Sequence, residues 1–391
     1  MTDHLLSALQ RELTERQAAG LLRKRRVIDS PQAPHLVVDG KEVVSFCSND
    51  YLGLANHPKL VTALSNGAQA AGAGSGAAHL ITGHHRYHHE LELVLAEFVG
   101  LPKALLFSTG YMANVGVIDA FMHRNDDMFA DKLNHASLND GAILSRAVLH
   151  RYSHCHMQAL ERLLQSSTSQ RKMVVTDSVF SMDGDIAPLK EILALCERYD
   201  AWLYIDDAHG FGVLGEQGRG ALQHFSLSSP NIIYMATLGK AAGVSGAFVA
   251  GAAPVIDYLM QNARTYIYTT AMPPALAAAS LAALELIEQS AERRSHLNKL
   301  IEQLKSGLRC KRWQLASSAT PIQPLIIGSN DEAVKASECL QQQGILVPAI
   351  RPPTVPTNSA RLRITLSAAH TSADVDQLIT ALHHIEERLA S

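Results

Sequence analysis

Lys240 is the only charged residue between Pro230 and Asp257, and small residues surround it: Gly239, Ala241, Ala242, Gly243, Ser245 and Gly246. It follows an apolar run that ends at Thr237. A lysine so placed either extends its stem to put the ammonium in water or is desolvated. Desolvation lowers its pKa and leaves a neutral amine able to form an imine with a carbonyl. A second run, WLYIDDAHGFG at 202–212, ends an apolar stretch in Asp206-Asp207, followed by His209 and Gly210. Carboxylates at the end of a buried strand are costly unless something satisfies them. They either cap the next helix or face a ligand. In a third run, KALLFSTGYMANVGVIDAF at 103–121, a strand stops at Phe107, Ser-Thr-Gly follows and a helix begins near Tyr111. Free N–H groups and the helix dipole at such a turn suit a phosphate.

Together these features point to pyridoxal phosphate. That cofactor requires a lysine for a Schiff base, an acid opposite its pyridinium nitrogen and a helix N-terminus for its phosphate. A nearby carboxylate favours the protonated ring nitrogen, which lets the ring accept carbanion electrons.

The surrounding pattern supplies the elements that position these groups. Apolar strands at Ala104–Phe107, Met173–Thr176, Trp202–Asp206, Ile232–Ala236 and Gly246–Ala250 alternate with helices at His135–Leu144, Met157–Leu164 and Leu189–Tyr199. This predicts an α/β fold with a mostly parallel sheet between helices, with ligands beyond the carboxyl ends of the strands. Ahead of it, leucines at near-helical spacing predict an amphipathic helix over 3–25, and Asp39-Gly40 between two β-rich runs predicts a hairpin. After about 270, an Ala-rich helix, a charged helix near 290–309, strands near 322–327 and 361–366 and helices near 332–343 and 373–389 suggest a smaller α+β domain. The expected division is an N-terminal arm at 1–60, a large cofactor-binding α/β domain at 61–270 and a C-terminal α+β domain at 271–391.

With 34 Lys plus Arg against 37 Asp plus Glu, net −3 over 391 residues, overall charge gives no case for nucleic acid or an acidic membrane. Five scattered cysteines with no CxxC pair argue against a disulfide framework or a cysteine zinc site and for a reducing compartment. No apolar stretch of about 20 residues predicts a membrane span. The N-terminus, with Asp3, Glu12 and Glu15 among its leucines, does not read as a signal or transit peptide. A cytoplasmic location is expected.

The chain resembles the α-oxoamine synthase family of fold-type I pyridoxal-phosphate enzymes. The resemblance runs through SNDYLGLANHP (48–58), GSG (74–76), STGYMAN (108–114), DKLNHASLNDG (131–141), SVFSMDGD (178–185), DDAHGFGVLGEQGRG (206–220), TLGKAAGVSG (237–246) and YTTAMPP (268–274). AIRPPTVPTNSARLRITLSAAH (349–370) is the most specific part. It resembles the branch of the family that serves biotin biosynthesis, by decarboxylative condensation of L-alanine with a pimeloyl thioester on acyl carrier protein or coenzyme A. The resemblance implies a homodimer with shared active sites.

It also implies roles for individual residues. Lys240 would carry the Schiff base and act as general base. Asp206 would pair with the pyridinium nitrogen, His209 would reach the phenolic oxygen, and His135 would stack on the ring and contact substrate. Gly110 and Tyr111 would hold the cofactor, and Ser181 and Thr237 would hydrogen-bond it. Thr270 would reach the phosphate of the partner's cofactor. Arg351 would clamp the amino-acid carboxylate, and Asn49, Arg23 and Thr354 would line the acyl side. The chain departs from many relatives in Ala77-Ala78-His79, where Gly-Ser or Ser-Arg is common. His79 therefore bears on the acyl-chain or thioester contacts.

Other motifs read more plainly. His84/His88 and His85/His89 are i,i+4 pairs that could ligate a metal, but they are expected to be a solvated helix start, with no metal site. His150, His154 and His156 receive the same reading. Gly72–Gly76 follows a helix rather than a strand and does not fit a dinucleotide fingerprint. Arg23–Arg26 most simply complements a helix C-terminus, with docking of an acidic carrier protein or a coenzyme A phosphate as the functional alternative. The rival readings are a relative using glycine or serine and a histidine-rich metal-binding protein.

Overall fold

The computed structural model describes residues 2–18, 21–23 and 25–390. Its centre is a seven-stranded sheet: β3 (Lys103–Phe107), β4 (Asp127–Asp131), β5 (Val148–Tyr152), β6 (Lys172–Asp177), β7 (Trp202–Asp206), β8 (Ile232–Thr237) and β9 (Ala247–Gly251). The order is β3-β9-β8-β7-β6-β4-β5. Strands β4 to β8 are mutually parallel, and β9 runs antiparallel to both β3 and β8. Every strand except β9 therefore points the same way. Alternation buries Val174, Leu203, Ile205 and Tyr234 on one face and Met173, Val175, Tyr204 and Ile233 on the other. Both faces are covered by helices, as continuous apolar strands require.

The sequence pattern does not reveal β4 and β5. Strand β4 is a short apolar centre between Asp127 and Asp131, and β5 is a sheet edge with only Tyr152 buried.

The hairpin forms between β1 (His35–Val38) and β2 (Lys41–Ser45). Asp39 and Gly40 both take positive φ, 49° and 73°, as a two-residue hairpin turn requires. A short strand, β12 (Ile345–Leu346), joins β2 in parallel. The C-terminal segment contributes helices Pro274–Glu288, Ala291–Gly307, Asn330–Gln342 and Ser372–Ala390. With them is an antiparallel sheet ordered β10 (Gln314–Leu315), β11 (Ile322–Gly328), β14 (Ala360–Thr365) and β13 (Ala349–Ile350). Helix Pro274–Glu288 lies close on helix Pro58–Ala71, where a Cβ on Gly67 would stand 2.8 Å from Ala278 Cβ.

The N-terminal helix is Thr2–Ala18, shorter than the 3–25 expected, and residues 21–23 are not helical. Arg23, Arg25 and Arg26 thus lie beyond its end, and Arg16 is the basic residue of its last turn. Arg26 instead donates to Gln341 at 3.0 Å; Lys24 lies outside the described residues. Leu5, Leu6, Leu9 and Leu13 on this helix are exposed. No described helix is long and apolar enough to cross a membrane.

Candidate active site

The carboxyl ends of β3, β4, β6, β7 and β8 fall along one edge of the sheet, where open α/β sheets bind ligands. Asp206 ends β7 and pairs in register with Asp177 at the end of β6. Its carboxylate accepts from Asn114 Nδ2 at 2.7 Å and from the Ala208 amide at 3.0 Å. Asp207 takes the other face, accepting from Tyr234 OH at 2.6 Å, the Ala221 amide at 2.8 Å and Ser178 Oγ. Successive strand residues point to opposite faces. Asp207 therefore caps helix Ala221–Phe225, and Asp206 is free to serve a site.

Lys240 lies in the loop after β8, with Nζ 2.9 Å from His209 Nε2. His209 Nδ1 is 2.6 Å from the Tyr51 hydroxyl. Burial lowers the Lys240 pKa to about 8, although Asp206 and Asp177 oppose the shift. Burial, and then the nearby Lys240 charge, pull His209 well below its ordinary value. Burial and the neighbouring Asp206 push the Asp177 carboxyl well up. Asp177 accepts the His135 N–H at 2.7 Å. His135 caps helix Ala136–Ser145, and Nδ1 lies 2.7 Å from Ser137 Oγ. The residue is otherwise exposed, so its ring face is open.

Beside this cluster is a cradle of phosphate size. Helix Gly110–Phe121 starts after β3, capped by Thr109, whose Oγ1 accepts from the Met112 amide at 3.1 Å. The first-turn amides at Gly110 and Tyr111 have no acceptor within the helix. Phe107 and Thr237 both pair with Ala247, which brings the ends of β3 and β8 to either side of β9. Thr237 Oγ1 is buried and has no hydrogen-bond partner. A Cβ on Gly110 would stand 2.7 Å from Thr237 Cγ2. An orphaned hydroxyl, free amides and a position open only to glycine fit a phosphate. The half-exposed Tyr111 donates to Asp140 at 2.6 Å. Ser181 sits in the turn after β6 with its hydroxyl unbonded among the described residues, and its carbonyl accepts from Arg363 Nε at 2.6 Å.

Arg363, on β14, also reaches Asn49 Oδ1 at 3.3–3.4 Å and Thr365 Oγ1 at 2.9 Å. Asn49 takes Tyr51 OH at 3.2 Å as well, so it belongs to the Lys240–His209 side. Arg23, Arg351 and Thr354 come together, lining a cavity of about 490 Å³ with Arg16, Leu13 and Leu22. Asn49 is not in that lining. Thr270 is exposed in the loop before helix Pro274–Glu288 and makes no hydrogen bond to the cluster among the described residues.

Asn114, Asp177, Tyr51 and Arg363 escape sequence reasoning as site residues. Asn114 and Tyr51 lie within motifs already singled out, and Arg363 follows Arg361 two residues on, in the specific C-terminal run. Asp177 closes a strand in the same way as Asp206 does.

The histidine cluster is not a solvated helix start throughout. Helix Arg86–Val99 begins after His85, which caps it, and His88 Nδ1 accepts the His85 N–H in return at 3.0 Å. His88 is fully buried and reaches the Met272 carbonyl at 2.8 Å through Nε2. Its two nitrogens are thus spoken for, although His79, His84 and His88 stand within ligand reach of one another. His79 is buried too, stacked on Tyr266 at 4.9 Å and 3.0 Å from His84 Nδ1. The plain reading also fails for His154, which pairs with Asp131 and Asp185. His150 contacts Asp127 at 3.0 Å, and His156 caps helix Met157–Ser166.

Comparison with known proteins places the chain in a family. The model of the family "Aminotransferase class I and II" matches residues 41–382. A serine palmitoyltransferase from Sphingomonas wittichii superposes with a TM-score of 0.93 at 29% identity, over 99% of each chain. An 8-amino-7-oxononanoate synthase from Francisella tularensis superposes with a TM-score of 0.77 at 33% identity, over 89% of this chain and 98% of that one. In sequence, 8-amino-7-oxononanoate synthase of Methylobacillus flagellatus is 59% identical over 383 residues, 98% of this chain and 97% of its own. The chain therefore belongs to the class I and II aminotransferase family, the fold-type I enzymes that depend on pyridoxal phosphate. Within it, the chain belongs with the 8-amino-7-oxononanoate synthases, transferases of biotin biosynthesis.

Proposed function

We propose that the chain condenses L-alanine with a pimeloyl thioester to give 8-amino-7-oxononanoate, carbon dioxide and the free carrier thiol. The observation that carries this reading is the Lys240 amine, largely desolvated, 2.9 Å from His209 and flanked by the strand-end acids. When bound, pyridoxal phosphate supplies the electron sink for a carbanion next to the amine.

The chain's own residues supply the rest. Lys240 would hold the cofactor through its amine, and that amine would take and return the α-proton of the substrate. Asp206, fixed by Asn114 and the Ala208 amide, keeps a proton on the ring nitrogen. His209, held by Tyr51, orients the phenolic oxygen. His135 offers its open face to the ring and assists loss of carbon dioxide. Gly110, Tyr111, Ser181 and Thr237 hold the phosphate end and the ring edge. Arg351 clamps the alanine carboxylate, for which its planar fork is suited, while Arg23 and Thr354 face the acyl chain across the shared cavity. Asn49 meets the acyl substrate from the Tyr51 side.

The active unit in this reading is a homodimer in which Thr270 reaches the partner's cofactor. In its support, Ile81, Tyr111, Ile143, Leu144 and Tyr268 are all at least half exposed on segments next to the site. The division at residues 60 and 270 and a cytoplasmic setting belong to the same reading, the latter supported by five free thiols. Identity of 59% to an 8-amino-7-oxononanoate synthase, against 29% to a serine palmitoyltransferase, favours alanine over serine.

The test is a product assay with alanine, glycine and serine, each against pimeloyl-coenzyme A and pimeloyl carrier protein. Alanine should give the 8-amino-7-oxo product with at least one donor. Turnover confined to glycine or serine would contradict the reading.

A further inference from the structure

We infer that His154 is a positioning residue: it ties the strand end that leads to His135 to the turn that carries Ser181. The inference rests on the reading of the Lys240 cluster as the active site.

His154 follows β5, the edge strand of the large sheet. Its Nδ1 lies 3.0 Å from Asp131 Oδ1 and its Nε2 2.7 Å from Asp185 Oδ2. Ionised carboxylates only accept, so a ring that serves both must donate from both nitrogens, which only the imidazolium does. Burial opposes that charge, but the bonds to Asp131 and Asp185 outweigh it and push the pKa up to about 12. Both carboxylates thus favour the charged ring.

The anions it joins come from two different site loops. Asp131 is the last residue of β4 and 1% exposed. It also accepts the Leu133 and Cys155 amides, at 2.9 and 2.8 Å, and so sets the course of the chain toward His135. Asp185 lies in the tight turn after β6, closed by Phe180 N–H to Asp185 O at 3.0 Å and by a bridge between Val179 and Ile186. Ser181 is inside that turn. From the opposite side Arg363 holds the Ser181 carbonyl at 2.6 Å and Arg361 holds Asp183 at 2.6 Å. The turn is gripped between the arginines of β14 and His154, which also stands edge-on to Phe180 at 4.4 Å.

A mainly structural role would act through global stability. His154 lies in the turn just past the edge strand and its side chain is 29% exposed, and partly exposed ion pairs contribute little to folding. The buried Asp131 keeps two amide donors without it. Loss of the clamp should therefore loosen two loops while leaving the domain folded.

The test compares His154→Gln, which keeps similar reach without the charge, with His154→Arg, which restores a cation with several donors. In His154→Gln, kcat should fall about 10-fold or more while the alanine KM changes less than about 2-fold. Amide exchange in the cofactor-free protein should rise within 131–137 and 178–187, with the melting temperature held within a few degrees. His154→Arg should recover a good part of both kcat and protection. Unchanged kcat and exchange in His154→Gln would overturn the inference. So would a loss seen only in melting temperature, or an arginine variant no better than glutamine. Failure of the underlying site reading would show in the wild-type protein, as absence of cofactor on Lys240.

Discussion

Asn114 donates from its amide nitrogen to the Asp206 carboxylate at 2.7 Å, joining the helix after β3 to the end of β7. The same nitrogen reaches Ser137 Oγ at 2.7 Å, and its oxygen takes the Tyr204 hydroxyl at 2.7 Å. One buried amide thus orients the acid, the start of the His135 helix and a core tyrosine. Asn114→Leu strands all of these at once. The expected cost is about 2–4 kcal/mol in unfolding of the cofactor-free protein, since buried partners left unmade carry their full desolvation penalty. Cofactor affinity should fall with it. Denaturant unfolding and a pyridoxal phosphate titration check this; unchanged affinity would place Asp206 away from the ring nitrogen.

Lys240 should react as an amine of low pKa. Its neutral fraction rises with pH around a midpoint of about 8 rather than the ordinary 10.5. The rate of cofactor attachment to the cofactor-free protein should follow that curve, with Lys240→Ala as background. Asp177 opposes the shift, so Asp177→Asn should move the midpoint lower still. A midpoint near 10.5 in the wild type would mean the amine is hydrated.

The cradle at Gly110 and Thr237 should act on the phosphate alone. Gly110→Ala places a methyl against Thr237 Cγ2, at 2.7 Å before relaxation, and Thr237→Val removes the orphaned hydroxyl. Each should weaken pyridoxal phosphate binding about 10-fold or more, with little effect on pyridoxal, which lacks the phosphate. Equal losses for the two ligands would contradict the assignment.

Glu92 gives a stability test remote from catalysis. Burial pushes its carboxyl up to about 7, although it accepts the Leu106 amide at 2.9 Å. The folded chain then holds a proton that the unfolded chain releases near 4.5. This stability is present below about 4.5 and is lost as pH rises through about 7. Glu92→Gln keeps an acceptor for Leu106 without the charge. It should be the more stable protein at pH 8, by a margin on the order of 2 kcal/mol, and little different at pH 5. Chemical denaturation at the two pH values measures this.

Much of this was legible in the sequence because the cofactor's demands are strict. Lys240, Asp206 and His209 follow apolar runs that can only be central strands, and the structure places them within one hydrogen-bonded cluster or its electrostatic reach. The adjacent acids show where local reasoning stops. The alternation of strand faces separates the two: Asp207 accepts the first amide of helix Ala221–Phe225, and Asp206 turns to the Asn114 side, where the proposed site lies. Strands β4 and β5 were hidden by terminal charges and an exposed edge. The roles of His88 and His154 depend on partners far along the chain, Met272 for one and Asp185 for the other, which spacing cannot reveal. The leucine spacing runs on to Leu21 and Leu22, which the described residues 21–23 do not carry in a helix.

The most direct measurement is borohydride reduction of the purified protein, followed by digestion and peptide mass mapping. A pyridoxyl group on Lys240, lost in Lys240→Ala, is the expected result. A label on another lysine, or none on the wild-type chain supplied with pyridoxal phosphate, would contradict the account.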